Sequence, residues 1–214
     1  LDFSGSAERA VQVSTSASYN ALRMSGNSGT VAGNSTPGFT SDQSSARPWA
    51  TAVVFSSDNN SSNQHIWNQG EGSGSTDDNI YLRQDSIGNL YFGWGRSGAL
   101  NECSLGNTSM ATWHGVYIAH TGERLSGSNA TAANLADCFS IRRMFSSNSF
   151  STLGAELSTS GNWITNGGRM DRSFTGDFTV GGRGSNRNFH GKVAAMTIMT
   201  LQRGVAMPDA AEIA

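Results

Sequence analysis

The sequence predicts an all-β fold of the sandwich or barrel kind, and three observations lead to that prediction. Short β-branched and aromatic runs recur along the 214 residues between turns rich in Gly, Asn and Ser. Helical patterns are scarce, and charged residues make up only 14% of the chain, below the ~25% usual in soluble domains. Since sandwiches often reach this length as one unit and no composition break divides the chain, we expect a single domain over residues 1–214.

The strands are predicted where apolar and polar residues alternate or where β-branched and aromatic residues cluster. The run from Lys192 to Leu201 is continuously apolar, which is typical of a central strand. Ser86 to Asn89 form a plausible hairpin turn in which glycine supplies the positive φ. In chain order the predicted strands are 10–14, 49–55, 65–67, 80–82, 90–94, 113–119, 139–142, 177–180 and 192–201.

The remaining segments predict two short helical pieces and two long loops. Residues 131–137 suit one or two helical turns, and residues 208–213 begin with proline at a first helical position. Residues 25–45 and 56–63 are poor in apolar side chains, so we expect flexible loops there. No apolar run approaches the ~18 residues of a membrane span, and the absence of an initial Met predicts that a segment upstream was removed or left out.

The charge balance bears on the class of partner. The chain has 14 Lys+Arg against 16 Asp+Glu, a formal net charge of −2. A nucleic-acid binder needs a clustered basic face, so we expect no nucleic-acid partner. Low charge with abundant Gly, Ser, Thr and Asn suits neutral polar partners, namely sugars and neighbouring protein subunits.

The two cysteines, Cys103 and Cys138, have neither a CxxC nor a zinc-ligand spacing. They form either one disulfide or two free buried thiols, and the sequence leaves both alternatives open. His114 and His120 lie six residues apart on one predicted strand and therefore share a face. At ~3.3 Å per residue they are too far apart to chelate one ion together.

Several of these segments together resemble the concanavalin A-like (laminin G-like) domains. The segments are Leu1-Asp2-Phe3, the core strand 49–55, the hairpin NIYLRQDSIGNLYFGWG at 79–95, and FHGKVAAM at 189–196, followed by Asp209 to Ile213. The resemblance implies a two-sheet antiparallel jelly-roll sandwich whose concave face or rim loops bind glycans. It implies no required cofactor, although some members bind through calcium.

A second resemblance concerns residues 66–103 together with 113–138, which look like virion proteins of marine tailed phages. In phages such modules lie on capsids, fibres or tails. The resemblance implies a virion-surface location with other virion proteins, copies of the same chain or host polysaccharide as partners. An extracellular location is the alternative.

The spacing of the carboxylates bears on catalysis. Glucanases of this superfold resemble one another in an E-x-D-x-x-E strand, which places two carboxylates on one sheet face as retaining hydrolysis requires. That spacing does not occur here, so we expect no enzyme, unless distant strands bring two carboxylates together. The GxGxxG run at 93–98 lacks the following helix that a dinucleotide site needs.

The loop 69–79 (QGEGSGSTDDN) is a candidate calcium site. Glu71, Asp77, Asp78 and Asn79 supply the hard oxygen ligands that calcium prefers, on a glycine-rich backbone. The order of these residues is not that of an EF-hand. The alternative is a solvated hairpin loop in which the aspartates cap turns.

The candidate carbohydrate site combines an aromatic ring with hydrogen-bonding neighbours. Trp94, flanked by glycines, offers a stacking face, and Arg96, Asn101 and Asp78 offer polar contacts. Aromatic residues in strands are more often part of the core, and that alternative stays open for Trp94.

The sequence therefore predicts a non-catalytic lectin-like module. The first hypothesis is a structural component of a phage virion, as a capsid decoration, fibre or tail protein, which also binds host-surface glycans. The alternative is a carbohydrate-binding module of a secreted bacterial protein, followed by a diverged glucanase.

Overall fold

A computed structural model describes residues 12–16, 19–24, 31–33, 48–58, 63–70, 79–96, 99–121, 131–145, 154–165, 178–182 and 187–200. Within these ranges the chain forms strands, one α-helix (α1, Ala132–Cys138) and a 3-10 turn at Ser160–Asn162. The strands are β1 (Gln12–Ser16), β2 (Tyr19–Met24), β3 (Val31–Gly33), β4 (Trp49–Ser57), β5 (Gln64–Gly70), β6 (Asn79–Gln84), β7 (Asn89–Arg96), β8 (Ala99–Asn107), β9 (Trp113–His120), β10 (Phe139–Phe145), β11 (Trp163–Thr165), β12 (Phe178–Val180) and β13 (Gly191–Thr200).

The strands form two antiparallel sheets. The six-stranded sheet has the order β1-β2-β13-β4-β9-β10, and the seven-stranded sheet has the order β11-β8-β7-β6-β5-β12-β3. Strands distant in sequence are neighbours, because β13 lies between β2 and β4. This is the two-sheet antiparallel jelly-roll sandwich of the concanavalin A-like (laminin G-like) kind, so the predicted fold class is confirmed.

The core lies between the two sheets and follows the alternation of side chains along each strand. On β7, Leu90, Phe92 and Trp94 face inward and are buried. They meet Trp49 and Phe139 from the six-stranded sheet, with the rings of Phe92 and Phe139 5.3 Å apart. Burying a side chain of this size stabilises the fold by roughly 1.5–3 kcal/mol, so this aromatic layer is a main source of stability.

The hairpin between β6 and β7 confirms the predicted turn. Gly88 has a φ of 88°, which glycine adopts without strain, and its N–H donates to the Asp85 carbonyl. The Asp85 carboxylate accepts hydrogen bonds from the N–H groups of Ile87 and Asn89, at 3.0 and 2.9 Å. The turn is therefore held by one side chain as well as by its backbone.

The predicted loops differ from the structure in two places. Strand β3 lies inside the predicted loop 25–45, where it pairs with β12. The predicted loop 56–63 begins too early, because β4 continues to Ser57. Strands β2, β8 and β11 were not predicted, and the expectations for residues 1–3 and 208–213 lie outside the described residues.

Helix α1 confirms the predicted helical turns at 131–137. Thr131 is its N-cap, and the Thr131 side chain accepts a hydrogen bond from the Asn134 N–H at 3.2 Å. At seven residues α1 is far shorter than a membrane span, and no longer apolar helix occurs in the described ranges. Cys103 and Cys138 are both buried and form no disulfide with each other, which is the second of the two alternatives.

Candidate functional site

The outer face of the seven-stranded sheet carries polar side chains that are shielded from solvent. Along β6, Ile80 and Leu82 face the core, so Asn79, Tyr81 and Arg83 face outward. Such a face is normally solvated when it is polar. Here Asn79 and Tyr81 are buried and Arg83 is half-buried, which marks this face as unusual.

The register of the strands aligns these side chains with others across the sheet. Successive partners across β12, β5, β6, β7 and β8 are Thr179, Asn68, Tyr81, Gly93 and Glu102. A neighbouring row places Arg83 beside Tyr91, with the guanidinium carbon 4.5 Å from the ring centroid. We call Asn68, Asn79, Tyr81, Arg83, Tyr91 and Glu102 the outer-face cluster.

Glu102 is the centre of this cluster and is 4% exposed. Its Oε1 accepts hydrogen bonds from the Tyr81 hydroxyl at 2.8 Å and from Arg83 Nε at 2.5 Å. Its Oε2 accepts from Arg83 Nη2 at 2.8 Å, which makes the ion pair bidentate. Both donors therefore fix the carboxylate in one position.

The pKa values of Tyr81 and Arg83 favour the same hydrogen bonds to Glu102, because both groups keep their protons. Burial raises the pKa of Tyr81, and the charge of Glu102 raises it further, so the phenol keeps its proton. Burial alone lowers the pKa of Arg83, but the hydrogen bond and charge of Glu102 outweigh it and raise the pKa. The cluster thus holds one cation and one anion at neutral pH.

Gly93 is the position that allows the Tyr81 hydroxyl to reach Glu102 across β7. A Cβ at Gly93 would overlap the Asn101 carbonyl oxygen and lie 2.7 Å from Glu102 Cγ. Since real Cβ atoms do not approach backbone this closely, a larger residue would displace β8 from β7. Gly95, two residues further on, faces the same way and lies opposite Asn79.

Two amides of the cluster have unused hydrogen-bonding capacity. Within the described part of the chain, Asn79 Nδ2 and Oδ1 and Asn68 Oδ1 are buried without a hydrogen-bond partner. Leaving such a group unsatisfied costs about 1–3 kcal/mol. The Asn79 amide therefore lies beside Gly95, buried and with its hydrogen-bonding capacity unmet in the described part of the chain.

The outer face opens toward β8 and β11. Tyr91, Leu100 and Ser104 are half-buried, and Ile164 is 56% exposed. Leu100 is the partner of Gly95 on the side away from Asn79. Along this row, exposure therefore rises from the buried Asn79 and Gly95 to the half-buried Leu100.

The predicted carbohydrate residues are placed differently from expectation. Trp94 is 2% exposed, and its ring lies in the core, with its centroid 5.5 Å from that of Phe139. This burial corrects the expectation of a stacking face at Trp94, because the alternation along β7 points it between the sheets. Asn101 is the partner of Trp94 on β8 and also faces inward, with its amide unpaired in the described part of the chain. The Arg96 side chain and Asp78 lie outside what the structure describes.

The predicted calcium residues are mostly outside the described ranges. Glu71, Asp77 and Asp78 belong to the undescribed segment 71–78, so the calcium site stays a prediction. Asn79 is the first residue of β6 and faces outward, beside the end of that segment. Among the described residues, no three His, Cys, Asp or Glu side chains form a group able to hold a metal ion.

Sequence reasoning missed Asn68, Tyr81, Arg83, Tyr91 and Glu102. A signal for part of this set exists in NIYLRQ, where polar residues alternate with Ile80 and Leu82. The glycines on either side of Trp94 occupy the same outward face of the next strand. Glu102 has no such signal, because its role depends on the register between β7 and β8.

No family model matches this sequence. No curated protein matches it either.

Solved structures match the fold at low identity. Full-length tailspike protein 2 of an Escherichia coli O157:H7 bacteriophage is 11% identical, with a TM-score of 0.51 over 86% of this chain and 23% of its own. The enzymatically active domain of tailspike protein 2 from bacteriophage CBA120 gives 12% identity and a TM-score of 0.51, over 86% of this chain and 25% of its own. The CBM40 module of a Ruminococcus gnavus IT-sialidase, bound to alpha2,3 sialyllactose, gives 12% and 0.49, over 85% and 91%. At these identities the likeness concerns the fold alone, and the chain spans only about a quarter of each tailspike structure.

Proposed function

We propose that this chain is a non-catalytic glycan-binding module and that its site is the outer-face cluster. The observation that supports the proposal most strongly is the buried Asn79 amide, unpaired in the described part of the chain and set opposite Gly95. Buried polar groups in folded proteins are normally paired. A ligand hydroxyl that donates to Oδ1 and accepts from Nδ2 would satisfy this amide.

Carbohydrate suits the rest of the cluster for the same reason. Sugars present many hydroxyls, each of which is both a donor and an acceptor, and Asn, Tyr and Arg side chains match them. Gly95 contributes no side chain beside the Asn79 amide, so a ligand ring bound there could lie close to the backbone of β7. The Tyr81–Glu102–Arg83 bonds hold the polar groups in place before a ligand arrives, which reduces the entropy lost on binding.

The proposal of binding without catalysis rests on the number of carboxylates. Glycoside hydrolysis generally uses two carboxyl groups that flank the scissile bond. Among the residues of β5, β6, β7 and β8, Glu102 is the single carboxylate. Because both of its oxygens accept hydrogen bonds from Tyr81 and Arg83, it serves as a structural acceptor.

For the biological setting, we propose a structural component of a phage virion, on the capsid, a fibre or the tail. The resemblance of residues 66–103 to phage virion proteins supports this setting, as does the likeness in fold to a phage tailspike at a TM-score of 0.51. Its partners would be other virion proteins or copies of itself, with host polysaccharide as ligand. A module of a secreted extracellular protein is the alternative.

Calcium is proposed as an additional ligand of the loop that precedes β6, through Glu71, Asp77, Asp78 and Asn79. It would order this loop beside the outer-face cluster. Glycan affinity measured in calcium and then in EGTA tests this proposal. A lower affinity in EGTA is expected, and an unchanged affinity contradicts a role for calcium in binding.

A glycan array with two arginine variants tests the proposed site. Arg83→Lys keeps the positive charge but loses the bidentate pair with Glu102, so glycan affinity should fall about tenfold or more. Arg142→Lys is the matched control, since Arg142 pairs with Glu156 on the outer face of the other sheet. Its affinity should remain within about twofold of the unaltered protein. An array without any bound glycan, or equal losses in the two variants, contradicts the proposal.

Imaging of phage particles that contain the chain tests the virion setting. Ordered density on a capsid, fibre or tail is the expected result. A strictly monomeric protein that is absent from particles and has no affinity for virion proteins favours the secreted module.

A further inference from the structure

The outer-face cluster also determines the charge class of its ligand, an inference that rests on the proposed function. We propose that the glycan bound there is neutral and that acidic sugars, such as sialylated or uronic acid-containing chains, are disfavoured. The deciding contact is the bidentate pair between Arg83 and Glu102.

Arg83 is the positively charged side chain of the outer-face cluster. The two N–H groups with which it could bind a ligand carboxylate are already bonded to Glu102. Arginine recognises a carboxylate most specifically by presenting two parallel N–H groups. Arg83 Nε and Nη2 both donate to Glu102, at 2.5 and 2.8 Å. A ligand carboxylate would have to take these donors from Glu102.

Displacing Glu102 is unfavourable because of its surroundings. Glu102 is 4% exposed, and the Tyr81 hydroxyl also donates to it. A buried carboxylate that loses its cation keeps its charge without compensation, which is strongly destabilising. Displacing the carboxylate would also break its hydrogen bond with the Tyr81 hydroxyl, which lies across β7 from it.

The charges near the cluster have the same consequence. Arg83 contributes one positive charge, Glu102 one negative charge, and Asp85 at the end of β6 a second negative charge that interacts with Arg83. Within the cluster Arg83 and Glu102 therefore neutralise each other, so an anionic ligand meets no uncompensated positive charge there. The unpaired groups are the amides of Asn68 and Asn79, which are neutral and suit hydroxyls.

Matched pairs of oligosaccharides test this inference. Each pair contains a neutral chain and the same chain with one added sialic or uronic acid, and affinities are measured at 50 and 500 mM NaCl. We expect the neutral member to bind at least about tenfold more tightly. Its affinity should change little with salt, because no ligand charge is involved.

Glu102→Gln leaves the charge of Arg83 uncompensated within the cluster and provides a second readout. It removes one negative charge and leaves Arg83 positive. The ratio of the affinity for the neutral member to that for the acidic member should therefore fall at least about fivefold. If this variant does not fold, the salt series on the unaltered protein still decides the question.

The outcomes separate the two proposals. If the acidic members bind more tightly and Tyr81→Phe weakens their binding, the preference for neutral glycans is wrong, but the outer-face site stands. Binding that neither Tyr81→Phe nor Arg83→Lys changes overturns the site itself, and the inference with it.

Discussion

Gly93 shows how a single residue determines the geometry of the outer-face cluster. With no side chain there, the Tyr81 hydroxyl reaches across β7 to Glu102 at 2.8 Å. The same position brings β8 close enough that a Cβ would overlap the Asn101 carbonyl oxygen. The absence of a side chain at Gly93 is therefore as necessary to the cluster as the polar groups around it.

Gly93→Ala should therefore destabilise the fold by about 1–3 kcal/mol, because β7 and β8 must move apart. Urea unfolding followed by tryptophan fluorescence measures the change. Gly161→Ala is the control, since a Cβ at Gly161 meets no heavy atom within 4 Å. The control should change stability by less than about 0.5 kcal/mol or increase it slightly. Equal effects of the two substitutions would contradict this account.

At the scale of elements, the β6–β7 hairpin is the part of the site that the sequence predicts best. Its turn residues and its alternation are local, so NIYLRQDSIGNLYFGWG indicates both strands and the bend between them. Strand β8 was missed because Asn, Glu and Gly interrupt its apolar pattern. It is a strand because it pairs with β7 and β11 on its two sides, a long-range effect without a local signal.

The same distinction explains which site residues could be found. The glycines beside Trp94 favour the hypothesis of a sugar platform because they allow close approach, but they face outward while Trp94 faces the core. The meeting of Glu102 with Tyr81 and Arg83 requires the register of three strands. Single-sequence periodicity determines the face of a residue but not its neighbour on the next strand.

The Asp85 side chain provides a prediction at this scale. Asp85→Ala should destabilise the hairpin by about 1 kcal/mol, because the N–H groups of Ile87 and Asn89 lose their acceptor. Ser86→Ala, at the neighbouring exposed position of the same turn, should leave stability nearly unchanged. Urea denaturation of both variants at pH 7 compares them, and no difference between the two would show that the turn does not depend on its carboxylate.

In the whole molecule, the aromatic core and the polar outer-face cluster lie on opposite sides of the seven-stranded sheet. The aromatic layer between them contains Phe92, Trp94, Phe139 and Trp163, with ring centroids 5.3–6.3 Å apart. A rigid scaffold with a separate recognition face is what a binding module requires.

His120 links this core to the pH dependence of folding. Its ring stacks on Trp49, with centroids 5.9 Å apart, and burial lowers its pKa from 6.5 to about 4. Between pH 6.5 and 4 the unfolded chain binds a proton at this residue that the folded chain does not, so stability falls as the pH is lowered. The loss approaches about 3 kcal/mol at pH 4.

Urea unfolding from pH 7 to pH 4 measures this dependence, with His120→Gln as the comparison. The variant should lose less stability over the interval, since glutamine does not titrate. Parallel pH profiles for the two proteins would contradict a neutral His120 in the core.

Chemical-shift mapping locates a bound glycan on the protein and so tests the proposal that the outer-face cluster is the glycan site. The measurement follows backbone and side-chain amide signals of the ¹⁵N-labelled protein during titration with the glycan that binds most strongly on the array. If the glycan binds at the outer-face cluster, the largest shifts occur at the Asn79 side-chain amide, Gly95 and Arg83 Nε. Shifts confined to the opposite outer face, around Ser140 and Arg142, or an absence of shifts with every glycan, would contradict it.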